Sequence, residues 1–143
     1  QVWGDNKLGV SDFLQKIIYL AKAEDRNSIV FPEEFSHAFI RMMGSVYHRV
    51  ENRDKWPETK VYSQLRDLIE KTDFYAQVYR EYSGYYLFPD RSPNTVAIKE
   101  EALGKALAAV LSKKAETFKE KTFFQKLKEW FFRIIDKFKS KVE

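Results

Sequence analysis

Glu33, Glu34 and His37 place two carboxylates and one imidazole inside the segment Phe31-Pro32-Glu33-Glu34-Phe35-Ser36-His37. On a helix, positions i and i+4 share a face, so Glu33 and His37 could offer an oxygen and a nitrogen to one cation, with Glu34 beside them as a general base. The plainer reading is a pair of solvated acidic residues in a first helical turn, where negative charge suits the helix dipole, with a His merely tolerated nearby. A second acidic pair, Glu100-Glu101, follows in Glu100-Glu101-Ala102-Leu103-Gly104-Lys105. There two carboxylates interrupt an otherwise apolar stretch. A carboxylate facing a core needs a partner, since an unpaired buried charge is strongly unfavourable.

These residues need elements to hold them, and composition limits what those are. The chain has 143 residues, of which 44% are hydrophobic and 16% aromatic, with five Gly, four Pro and no Cys. That length suits one domain with a real core, and the composition argues for a packed, mainly α-helical globule. Without Cys there is no disulfide and no thiolate metal site, which is compatible with a reducing compartment. Only His37 and His48 exist, so a three-His site is excluded and any metal must use carboxylates as well. His48 matches no ligand spacing. A net charge of +4 and a pI near 9.1, with the excess toward the C-terminus, suggest a local basic surface and no nucleic-acid partner. No run reaches transmembrane length. Gln1-Val2-Trp3-Gly4 carries neither an initiator Met nor a signal peptide, so the chain reads as cut from a larger protein.

Apolar periodicity supplies the elements. Phe13, Leu14, Ile17, Ile18 and Ala21 have helical spacing, although residues 16–20 also read as a short strand. Asp25 to Ser28 form a turn, and Pro32 opens a helix running to about Met43, with Phe35, Ala38, Phe39 and Met42 as its apolar stripe and His37 at the flank. Gly44 marks a stop or a kink, and a further helical stretch covers Ser45 to about Asn52. Pro57 opens the next helix, with Val61, Leu65, Leu68 and Ile69 inward, and Thr72 caps another that ends at Ser83-Gly84. Tyr85 to Thr95 is a loop, either a connector or an overhang above a cleft. From Val96 to about Ala115, two apolar stripes predict a helix buried on much of its circumference. The last helix, about Thr117 to Lys141, is amphipathic and basic, with Trp130 and Phe131 on its apolar face and Lys119, Lys121, Lys126, Lys128, Arg133, Lys137 and Lys139 opposite. It docks on its own core or a partner, or lies on a membrane surface. The domain reading is 1–115 for the compact helical domain and 116–143 for the basic helix.

With Glu33-Glu34-x-x-His37 on one helix and Glu101-Ala102 on a later one, the chain resembles a gluzincin-type metallopeptidase domain. It looks particularly like the small zincin-like domains embedded in large polyvalent proteins of bacteriophages and mobile elements. In that family an H-E-x-x-H helix gives two ligands and the general base, and a downstream Glu gives the third. The resemblance implies Glu34 as the catalytic base, and Glu33, His37 and Glu101 as the metal set for Zn²⁺, with Glu33 where the family has a His. Lys105 stands where thermolysin-like relatives have an Asp supporting a ligand His. Both departures suggest that Glu33 and Lys105 form an ion pair replacing the metal, so that no cofactor is needed. Three functions follow as expectations: a catalytically silent module of a larger protein, such as one travelling in a phage virion; an active metal-dependent peptidase acting on protein or peptide; and a membrane- or partner-binding helical device.

Overall fold

The computed structural model describes residues 10–23, 33–48, 57–112 and 120–142. Six helices lie in these stretches, and no strand does: α1 (Val10–Lys22), α2 (Glu33–Tyr47), α3 (Pro57–Ile69), α4 (Asp73–Tyr82), α5 (Thr95–Leu111) and α6 (Lys121–Val142). The turn expected at Asp25 to Ser28, Pro32 and residues 113–119 between α5 and α6 fall outside the described residues.

The strand alternative for residues 16–20 is overturned. A strand would send Ile17 and Tyr19 to the same side, whereas Ile17 is buried and Tyr19 is exposed. Phe13, Ile17, Leu20 and Ala21 all reach the core, which only a 3.6-residue period allows. Phe13 stacks on Phe35 of α2, so α1 is bonded into the same apolar cluster as the site-bearing helix.

Helix α2 differs from expectation twice. It runs through Gly44 without a break as far as Tyr47, and Gly44 serves a close approach instead of a stop. Its buried face is Phe35, Ser36, Phe39, Ile40, Met43 and Gly44, while Ala38 and Met42 are only partly buried. That face is rotated toward Ile40 and Gly44 relative to the predicted stripe. His37 lies two turns before Gly44 on the same side of the helix, and its ring meets Gly104 of α5.

Helix α3 begins at Pro57 and buries Thr59, Tyr62, Leu65 and Ile69; Tyr62 goes inward where Val61 was expected, and Val61 and Leu68 stay partly buried. Thr72 caps α4 as expected, its hydroxyl accepting from the Tyr75 N–H at 3.0 Å. Asn94 does the same for α5 through the Ala97 N–H at 3.1 Å.

Helix α5 is the centre of the assembly, packed against α2, α3, α4 and α6. Ile98, Ala102, Leu103, Gly104, Ala106, Leu107 and Val110 are buried, so much of the circumference is covered as expected, but of the residues in the two expected stripes Ala97, Ala108 and Leu111 are only partly buried and Val96 points outward. The C-terminal helix α6 docks on α1, α3 and α5. Phe123, Phe124, Leu127, Trp130, Phe131 and Ile135 are all buried, and Phe131 and Trp130 meet the Phe39 ring edge-on at 4.8 and 5.5 Å. Trp130 also donates its indole N–H to the Glu58 carbonyl at 3.1 Å. These aromatic residues are therefore core residues of the same body that carries α2. No helix among the described residues is long and apolar enough to cross a membrane.

Candidate metal centre and its lysine

The packing of α2 on α5 brings Glu33, His37 and Glu101 together. His37 Nε2 lies 3.2 Å from Glu33 Oε2 and 3.4 Å from Glu101 Oε2. One potential ligand atom from each residue falls within 4.8 Å of the others, the only such group of His, Cys, Asp or Glu among the described residues. Ligands about 2.1 Å from a tetrahedral zinc ion stand about 3.4 Å apart, which the two spacings to His37 match.

Lys105, one turn after Glu101 on α5, shares this cluster. Its Nζ lies 3.5 Å from Glu33 Oε2, the same oxygen that faces His37. The Lys105 ammonium also sits 5.6 Å from the centre of the Tyr82 ring. Burial pulls the Lys105 pKa down, but Glu33, Tyr82 and Glu101 together outweigh it and leave the ammonium above its ordinary range. At neutral pH the cluster thus already holds a cation. Lys105 and Glu101 are largely buried, whereas the Glu33 side chain is 54% exposed.

His37 is fixed by Gly104. A Cβ built on Gly104 would fall 2.2 Å from His37 Nδ1, so the imidazole rests directly on the α5 backbone. Glu101 is fixed from its other oxygen: the Tyr86 hydroxyl donates to Glu101 Oε1 at 2.9 Å. Burial, then the hydrogen bond to Glu101, pushes the Tyr86 phenol up to about 12, so it remains a donor throughout the physiological range.

Beside this cluster, His37, Arg41, Tyr86, Ala97, Glu100 and Glu101 line an open cavity of about 140 Å³. Drug-sized pockets are typically ~300 Å³ or more, so this space suits waters or a very small ligand. Glu100 Oε2 lies against Gly44 and near Tyr62; a Cβ on Gly44 would meet Glu100 Oε2 at 2.7 Å and the Tyr62 hydroxyl at 2.9 Å. Burial raises the Glu100 pKa against the opposing pull of Arg41 and Arg66, and the Glu101 charge adds to the rise. Tyr62 is pushed up to about 12 by burial and by Glu100.

Of the residues named from sequence, Glu33, His37, Glu101 and Lys105 meet, and Glu101 is the one of its pair that reaches His37. Glu34 is partly buried and does not line the cavity. His48 is exposed at the end of α2, its ring against Tyr47. Tyr86, Arg41 and Tyr82 were missed. Tyr86 lies in a loop, where periodicity is silent, and Arg41 is a further i+4 step from His37 that the sequence could have offered. Comparison with protein-family models, with curated proteins and with solved structures finds no match.

Proposed function

We propose that this chain is a catalytically silent, zincin-like helical module of a larger protein, such as one carried in a phage virion, in which a lysine ammonium takes the place of the metal. The observation that carries this reading is Lys105 Nζ at 3.5 Å from the Glu33 oxygen that faces His37. A divalent ion bound there would compete with a tethered cation whose effective concentration is high and does not fall on dilution. Glu34, the base a peptidase would require, is not part of the cavity wall, and that cavity is small for a peptide side chain. The role left to the cluster is structural, joining α2 to α5 through one imidazole, two carboxylates and one ammonium.

The second reading, a metal-dependent peptidase with Glu34 as base, is favoured by the donor spacing around His37. The two separate on Lys105→Met. If Lys105 substitutes for metal, zinc titration against a chromophoric chelator gives weak uptake by the wild-type chain and at least tenfold tighter uptake by Lys105→Met. Equal affinity in both proteins would contradict the substitution. The same variant should lose only ~1 kcal/mol of stability or less, because Glu33 is half-exposed and its ion pair is screened by water.

A further inference from the structure

We propose that the cavity beside His37 binds a small amino acid as its zwitterion, with the ligand carboxylate on Arg41 and the ligand ammonium on Glu100. Arg41 of α2 and Glu100 of α5 both line this open space of about 140 Å³. Among the described residues neither group has a hydrogen bond or an ion-pair partner, although Arg41 is near enough to act on the Glu100 charge.

The other charges nearby are already engaged. Glu101 faces His37 with one oxygen and accepts from the Tyr86 hydroxyl with the other, and Lys105 faces Glu33. The Arg66 guanidinium lies over the Tyr47 and Tyr62 rings, 5.0 and 5.9 Å from their centres. One carboxylate and one guanidinium are thus left on the wall of the same cavity with no side chain joining them.

Holding Glu100 there costs the fold twice. The side chain is only partly exposed, so folding removes part of its water while no donor of the chain replaces it. Gly44 is the second cost. It stands in the interior of α2, where alanine would favour the helix, and a Cβ at that position would collide with Glu100 Oε2 at 2.7 Å. Two local departures from what folding favours converge on one carboxylate in a cavity wall, the pattern expected of a ligand-binding group and not of a packing residue.

The charge pattern selects the ligand. A simple anion would meet Arg41 but be repelled by Glu100 and Glu101, and a simple amine would meet the carboxylates but be repelled by Arg41. A zwitterion satisfies both ends and leaves the net charge of the site unchanged. Guanidinium takes a carboxylate through two parallel N–H···O bonds, and an ammonium brings three donors to the unserved Glu100 oxygens. The cavity is smaller than a drug-sized pocket, so it admits an amino acid with little or no side chain.

NMR titration of the metal-free full chain tests this, with glycine and β-alanine as probes and with acetate and methylammonium as their separate halves. Expected are saturable amide shifts around Arg41, Ala97 and Glu100 with at least one of the two amino acids, and at least tenfold weaker binding of either half. Arg41→Met and Glu100→Gln should each weaken binding of that amino acid at least tenfold. No saturable shift with either amino acid would leave a cavity that holds only water and overturn the proposal, as would acetate or methylammonium binding equally well, or full affinity in either variant. If one variant misfolds, the other and the comparison of whole probe with halves on the wild-type chain decide. None of these outcomes depends on whether the Glu33 to Lys105 cluster takes up zinc.

Discussion

Gly104 and Glu100 carry the sharpest consequences at the scale of single residues. A methyl at position 104 must displace the His37 ring, whose nearest atoms lie 2.2, 2.7 and 2.9 Å from the Cβ position. Alanine gains up to ~1 kcal/mol of helix propensity over glycine, but overpacking against the ring costs ~1–3 kcal/mol. Gly104→Ala is therefore expected to lose ~1 kcal/mol in thermal denaturation and to shift the His37 imidazole NMR signals. Unmoved His37 signals would show that the ring does not rest on α5. Glu100 gives a pH-dependent test. Its pKa is raised in the fold, by burial first, so the fold favours the protonated form. The associated stability is present below the ordinary carboxylate pKa of about 4.3 and is lost as pH rises through the raised value. Glu100→Gln should thus raise the melting temperature at pH 7.5 and lose most of that advantage near pH 4. A gain of equal size at both pH values would mean that the Glu100 charge is not what opposes folding.

Elements were legible in the sequence where one apolar stripe met one core. Helices α3, α4 and α5 and their caps follow from Pro57, Thr72 and the stripes of α5, because local chemistry and packing agree there. The spacing of Glu33 and His37 was equally readable, since i and i+4 geometry is fixed by the helix itself. What could not be read depends on contacts distant in sequence. Gly44 reads as a helix stop until Glu100 and Tyr62 are seen pressed against it, and the α2 face is set by where α5 and α6 lie, not by its own pattern. Tyr86 joins the cluster through a hairpin with no period to reveal it. Helix α6 was ambiguous because a docked helix and a membrane-surface helix share one pattern; what the pattern could not show is that Trp130 and Phe131 pack between Phe35, Phe39 and Tyr62. Trp130→Ala should accordingly destabilise the whole chain by ~3–5 kcal/mol in urea titration, the cost of a large core truncation. A loss below ~1 kcal/mol would mean that α6 is dispensable to the core.

At the scale of the molecule, the six helices of the described residues place a partly buried polar cluster between α2 and α5 and leave Lys121, Lys126, Arg133 and Lys137 of α6 exposed. Because α6 buries its apolar face on α1, α3 and α5, the segments 1–115 and 116–143 share one core among the described residues. The central claim is that the Glu33, His37 and Glu101 donors are served by Lys105 and not by a metal. Elemental mass spectrometry of the chain purified without chelators or metal-affinity resin, beside His37→Ala and Glu34→Gln, tests it most directly. The expected result is substoichiometric metal in all three proteins, each folded. One equivalent of metal per chain, lost in His37→Ala and kept in Glu34→Gln, would contradict the claim and make the chain a metal-binding domain with a peptidase's donor set.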